Sequence, residues 1–270
     1  MMKLNILILF LISYVSIDVL AFAPMTKIPL TAKSVGSSQP QQPSTLRSKR
    51  ESIHQLLMDA QNDDGRPDPS ILISAKDDKT QQLAFVSAFV ALAAGTSVCI
   101  NLWNGPGAAL TNASLGFHGF DNLRSTIFPI TFGIIFAVVG VLHFVAKDNF
   151  VKIVPPKGSW GGLWQAPSPF AEQLGVTYEE YHTYWTGIAE FIGGIWLLAG
   201  GLHFTDTQVP AALLFLLTVG VTPANLYMFT HDANPGDNVP RLSYPAGHIA
   251  RFIVQCGLLS NFAIMATYSN

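Results

Sequence analysis

A chain of 270 residues that is 49% hydrophobic and only 12% charged lies far from the roughly 25% charged composition of a soluble domain, so much of it does not face water. The net charge of −2 gives no basic surface to suggest nucleic acid, and none is expected as a partner. The two cysteines, Cys99 and Cys256, stand far apart inside apolar runs, which excludes a disulfide framework and any CxxC redox pair.

Residues 1–21 carry Lys3, an apolar run and then Val19-Leu20-Ala21, with small residues where a signal peptidase cuts. That pattern predicts a secretory signal peptide, with an uncleaved first membrane helix as the alternative. Residues 22–50 contain Lys27, Lys33, Arg47, Lys49 and Arg50, many Ser, Thr and Pro, and no acidic residue. This is the composition of an organelle transit peptide. Signal and transit segments in tandem, with Ala21-Phe22-Ala23-Pro24 at the junction, resemble the bipartite presequence of algae with multi-membrane plastids. The resemblance implies import into a plastid. Residues 51–82 form a hydrophilic linker of mixed charge, and Asp63-Asp64-Gly65-Arg66-Pro67-Asp68-Pro69 within it breaks any helix.

Five apolar runs follow, at 83–103, 127–146, 185–204, 209–229 and 246–268. Each is long enough to cross a hydrocarbon core of about 30 Å. Backbone groups in lipid must pair within their own segment, so the runs are helices, and the fold class is an all-α, multi-pass transmembrane bundle. The third run should begin earlier than its apolar stretch, because Thr177-Tyr178-Glu179-Glu180 is a capping box. The intervening tract 103–124 reads as a Gly-rich loop without a phosphate-binding pattern. If all five runs span, Arg66, Lys76, Lys79, Lys147, Lys152, Lys157 and Arg241 fall on one side and Arg124 on the other. The positive-inside bias then turns the linker side toward the cytoplasm-equivalent compartment, the stroma of a plastid.

Polar residues within the runs converge at one depth. His143, Glu190, Asn225, His248 and Arg251 all fall near the linker-side ends of their helices, roughly 5–9 Å below the boundary at 1.5 Å per residue. Gly133, Gly140 and His143 share one helical stripe, and Gly187, Glu190 and Gly194 share another. Small residues mark helix–helix interfaces in membranes, so both stripes should face inward. His248, Arg251 and Gln255 form a third stripe. These six residues, His143, Glu190, Asn225, His248, Arg251 and Gln255, are the candidate ligand-binding set. Intramembrane ionisable groups point to function, while a structural alternative has Glu190 and Arg251 pairing to join two helices. His118, His182, His203 and His231 lie at segment edges and read as interfacial or solvated. No His/Cys/Glu spacing suggests a metal, and no nucleophile elbow, dinucleotide fingerprint, flavin, haem or iron–sulfur pattern occurs.

Several motifs now stand in order. GVLHFVAKDNFVKIVPP at 140–156 is followed by Thr186-Gly187-Ile188-Ala189-Glu190 with Gly193-Gly194. Pro223-Ala224-Asn225-Leu226-Tyr227-Met228 comes next, and then Arg241-Leu242. Together, over 125–268, they resemble the DoxX family of four-helix membrane proteins. Ser243 stands where the family has proline, the helix at 83–103 is additional, and the 157–184 connection is longer. Some members of that family are associated with redox or thiosulfate–quinone chemistry, so the resemblance implies a four-helix unit and leaves the activity open. The leading reading is a membrane subunit for redox chemistry that binds a quinone or similar isoprenoid, with electrons supplied by a partner subunit. The alternatives are an assembly subunit of a plastid membrane complex and a cofactor-free acid–base enzyme acting on a lipophilic substrate.

Overall fold

The computed structural model describes residues 66–268 except 117, 237, 238 and 240. The expected signal and transit segments and the start of the linker lie outside the described residues. Helix α1 runs from Asp78 to Leu102. Its N-cap is Asp77, whose carboxylate accepts from the Thr80 amide at 3.1 Å and the Thr80 hydroxyl at 2.7 Å. Those two bonds, the hydroxyl first, hold the Asp77 carboxyl below its ordinary range.

The tract expected to be a loop is helical instead. A π turn at Trp103–Gly107 leads directly into α2, Ala108–Leu115. Pro106 cannot donate a backbone hydrogen bond and would clash in an ordinary α turn. The wider π turn accommodates it, and Gly107 lets the backbone close up where a Cβ would stand 2.9 Å from the Leu102 carbonyl oxygen. After the short α3, Gly119–Asn122, a second π turn at Leu123–Ile127 opens α4, Phe128–Val145. The connection from α4 holds α5, Lys147–Val151, and α6, Ala171–Leu174. Then come α7, Tyr178–Gly201, α8, Gln208–His231, and α9, Ala246–Ala266.

Four continuous helical stretches are long and apolar enough to span a bilayer: Asp78–Leu115, Gly119–Val145, Gln208–His231 and Ala246–Ala266. The protein is a multi-pass helical membrane bundle. Helix α7, expected as a fifth span, has the length but not the hydropathy of the others. The reason is its position: Thr183, Thr186, Gly187, Glu190, Gly193 and Gly194 are all buried, so its small and polar face is turned to protein rather than lipid. Its start is the predicted capping box. Thr177 Oγ1 accepts from the Glu180 amide at 3.2 Å, and Glu180 Oε2 accepts from the Thr177 amide at 3.0 Å. The other Glu180 oxygen takes a 2.6 Å bond from Lys147 Nζ, which holds that ammonium above its ordinary value.

Helices α4, α7, α8 and α9 form the central unit, and α1 packs on the outside of α9 through Leu92, Cys256 and Leu259. The tightest pairing is α4 with α7, where the two glycine stripes meet. A Cβ on Gly140 would stand 2.5 Å from the Phe191 amide nitrogen and 2.7 Å from the Gly187 carbonyl oxygen. Gly133 and Gly194 meet in the same way one level down. At that far end the bundle is solid. Phe128, Phe132, Phe136, Leu197, Leu214, Phe262 and Met265 fill it, with Phe132 and Phe136 both packed against the Phe262 ring.

The linker-side end is hollow and capped by the α4–α7 connection. Trp160 anchors this cap. It is 0% exposed, its backbone sits at φ 55°, and its indole nitrogen donates to Thr230 Oγ1 at 3.0 Å. Its ring also packs on Phe85 of α1 and on Tyr227 and His231 of α8. A bulky side chain in the left-handed region is a backbone outlier, and here the burial and the indole hydrogen bond offset its cost. Gln82 Nε2 donates to the Gly161 carbonyl at 2.8 Å, tying the cap to α1.

Candidate ligand cavity inside the bundle

Between the aromatic core and the cap lies a cavity of about 260 Å³. All four central helices and the cap line it. Its walls are largely apolar, from Phe132 and Phe136 at the core to Phe150, Trp164 and Trp185 near the cap. Polar side chains project into it from both helix pairs.

On the α4–α7 wall, His143 Nδ1 lies 3.0 Å from the Val139 carbonyl oxygen and 3.2 Å from Glu190 Oε2. A carbonyl can only accept, so Nδ1 carries the hydrogen and donates it to Val139, with the Glu190 carboxylate beside the pair. The neutral ring then has its lone pair on Nε2. Phe150 stacks on the imidazole with ring centroids 3.7 Å apart. Both His143 and Glu190 are buried. On the α8–α9 wall, Asn225 Nδ2 donates to Gln255 Oε1 at 3.2 Å, and Gln255 Nε2 donates to Thr222 Oγ1 at 2.7 Å. Arg251 reaches the cavity one turn above Gln255, with Nη1 3.1 Å from Met228 Sδ.

Five of the six sequence-predicted residues therefore share one cavity: His143, Glu190, Asn225, Arg251 and Gln255. His248 does not. It lies in the first turn of α9 and packs beside Phe229 and Tyr244. There it borders a small outer pocket with Asp232 and Arg241, which Arg251 touches from the inner side. From the first turn of α9 the His248 ring turns toward the α8–α9 loop and does not line the chamber.

Four contributors escaped the sequence reading. His182, read as interfacial, lines the cavity and accepts at Nδ1 from the Trp185 indole at 3.0 Å. Its Nε2 is buried without a hydrogen-bond partner, as is the Thr183 hydroxyl beside it. A buried polar atom left unsatisfied calls for an explanation, and both residues stand in the chamber wall. Thr186 and Thr218 complete the set. Their hydroxyls bond back to carbonyls of their own helices, as threonines do in membrane helices. The stripe Thr183, Thr186, Glu190 could have revealed two of these. Among the described residues no group of His, Cys, Asp and Glu assembles that could hold a metal ion.

The fold and cavity define a multi-pass α-helical membrane protein with an amphipathic chamber inside its bundle. Its sequence from 132 to 266, half of the chain, matches the family described as Domain of unknown function (DUF8561), and the chain belongs to that family. The match takes in every residue that lines the cavity, Phe132 to Leu258, and leaves α1 outside. No curated protein and no solved structure matches the chain.

Proposed function

We propose that the protein binds a lipophilic small molecule with a polar head, of quinone or related isoprenoid type, as a membrane subunit linked to redox chemistry. The observation that carries this is the chamber itself. An imidazole–carboxylate pair on the α4–α7 wall and an amide pair with a guanidinium on the α8–α9 wall stand on opposite helix pairs of one apolar space. Small-molecule sites have this make-up, with apolar walls and a few placed polar groups. A ring with oxygens at opposite ends can hydrogen-bond to both walls. Reduction of such a ring takes up a proton with each electron. The Glu190–His143 pair holds a proton beside that space, and Arg251 offsets charge on a reduced head. The electrons come from a partner subunit.

The resemblance to the DoxX family over 125–268 supports this reading, as does the order of its motifs. The signal-plus-transit composition of residues 1–50 supports a plastid membrane, thylakoid or inner envelope, as the location. The excess of Lys and Arg on the linker side supports a stromal orientation of the capped end.

Purification of the full-length protein in mild detergent, followed by mass spectrometry of extracted small molecules and co-purifying proteins, tests the proposal. A quinone-class molecule is expected at near one per chain in the wild type. It should be depleted in the Glu190→Gln/Arg251→Met variant. A photosystem subunit in place of any small molecule would favour the assembly reading, and a carotenoid or sterol precursor the acid–base enzyme.

A further inference from the structure

We infer that the chamber is loaded sideways from the bilayer, through a gap between α7 and α8 bounded by Trp185 and Gly220. Its occupant is a head-in, tail-out lipid, with a single polar ring inside and its apolar chain left in the membrane. The inference rests on the chamber being a lipophilic-ligand site.

Volume sets the first limit. Sites for drug-sized ligands run to roughly 300–1,000 Å³, and about 260 Å³ leaves room for a head group but not for a long chain. A tail must therefore leave the chamber. Toward the aqueous end it meets the cap, where Phe150, Ile153 and Pro155 are buried and Trp160 is locked onto Thr230. Toward the far end it meets the phenylalanine core.

Among the described residues that line the chamber, only Trp185 and Gly220 are exposed. They lie at one level. Gly200 packs on Thr207 and Gly193 on Leu214, and this antiparallel course carries Trp185 to the height of Gly220 and Val221. The surface around them is apolar and outward-facing, with Ile188 and Ile192 on α7 and Leu216 on α8 all exposed. In a membrane bundle that is a lipid-facing seam.

Gly220 itself argues for an opening. Glycine inside a helix is destabilising relative to alanine, and the usual reason to keep it in a membrane is close helix packing. Gly133, Gly140, Gly187 and Gly194 have that reason, and Gly193 is filled by the Leu214 side chain. At Gly220 a Cβ would meet nothing within 4 Å. Packing does not account for it, whereas a passage beside it does.

The test uses full-length protein in phosphatidylcholine nanodiscs, with a decyl-tailed benzoquinone and its tail-less counterpart as probes. Binding is read by quenching of tryptophan fluorescence, since Trp164 and Trp185 line the chamber. Gly220→Phe and Gly220→Leu place bulk in the gap from a Cβ position with nothing within 4 Å, and Leu216→Phe adds the same bulk on the lipid face one turn away. We expect Gly220→Phe to slow association of the tailed probe at least tenfold, and to weaken the tailed probe more than the tail-less one. Its melting temperature should stay near wild type, and Leu216→Phe should bind as wild type does. Equal association by wild type and both Gly220 variants would remove the lateral path and leave the ligand reading standing. Failure of the wild type to bind either probe would remove both. Misfolding of both Gly220 variants would show the space beside Gly220 to be occupied, which also defeats the inference.

Discussion

His143 Nδ1 and Glu190 Oε2 stand 3.2 Å apart because Gly140 and Gly187, three residues earlier on each helix, let α4 and α7 touch backbone to backbone. A Cβ on Gly187 would collide with His143 Cβ at 2.5 Å. The pair is thus placed by glycines chosen for contact, and it faces a chamber instead of being sealed between the helices. An intramembrane carboxylate costs about 2.5–3.5 kcal/mol on insertion scales, and a purely structural contact between these helices would not need it.

That cost separates a site from a structural contact by experiment. Glu190→Gln keeps the volume and removes the charge, so its stability in detergent should equal or exceed that of wild type. Retention of the co-purifying ligand should fall at least tenfold, which corresponds to about 1.4 kcal/mol of lost affinity. His143→Phe should share the defect although it removes no fixed charge. A pair that served structure alone would give the reverse: full ligand retention with a melting temperature lowered by either substitution.

The glycine contacts carry their own prediction. Gly140→Val must push its side chain into the Phe191 and Gly187 backbones, which cannot rotate away. Overpacking of this kind costs about 1–3 kcal/mol, and the upper end is expected here. Gly220→Ala meets open space and should gain about 0.5–1 kcal/mol from helix propensity. Thermal unfolding of the two variants in one detergent gives the comparison. Similar melting temperatures for both would mean that α4 and α7 do not pack as described.

Periodicity explains which parts of this arrangement could be read in advance. The stripes Gly133/Gly140/His143 and Gly187/Glu190/Gly194 were legible because an α-helix fixes which residues share a face. Depth from the helix ends then brought four helices' polar groups to one level. The reading failed where the helix was not ordinary or the wall was not helical. Gly105, Pro106 and Gly107 look like breakers, and only a π turn lets the helix pass through them. The cap residues Trp160 and Trp164 sit in an irregular segment whose partners on α8 and α1 no spacing rule could supply. His182 and Trp185 look like interfacial residues because they are amphipathic; the capping box carries α7 back over His182, but spacing alone does not show that both residues line the chamber.

Contacts at the two ends of the bundle predict its topology. Arg66 binds Asp232 at 2.8 Å and Gln82 binds the Gly161 carbonyl, so the linker, the cap and the α8–α9 loop share an end. Arg124 lies over the Tyr268 ring, and Thr126 Oγ1 is 3.2 Å from His203 Nε2 at the other end. In a Cys99→Ser, Cys256→Ser background, single cysteines at 76, 157 and 241 should label from one side of sealed vesicles. Cysteines at 121 and 206 should label from the other. Labelling of 121 and 157 from the same side contradicts the arrangement.

The location has a test independent of the fold. A fluorescent protein fused after residue 82 should enter the plastid, and Phe22→Ala should divert it to a compartment outside the stroma. The warrant is the abrupt change from an apolar, signal-like run to a basic, acid-free stretch at Ala21-Phe22. Plastid import of the Phe22→Ala fusion at the wild-type level would remove this reading of the presequence.

The cap should behave as a unit hung on one side chain. Trp160 is fully buried, and Thr230, itself 1% exposed, accepts its indole hydrogen bond. Trp160→Ala empties a pocket shared by Phe85, Tyr227 and His231, at a cost of about 3–5 kcal/mol for a buried aromatic. Thr230→Val keeps the shape but leaves the indole N–H without an acceptor, at about 1–3 kcal/mol. The two residues are in contact, so the double variant should cost less than the sum of the single ones. Because the cap closes the chamber without supplying its His143–Glu190 pair, the first visible effect should be local. Protease cleavage within 152–177 should accelerate in both single variants before the bundle melts. If cleavage there stays slow in Trp160→Ala while the melting temperature falls, Trp160 serves the bundle as a whole and the connection is no separate cap.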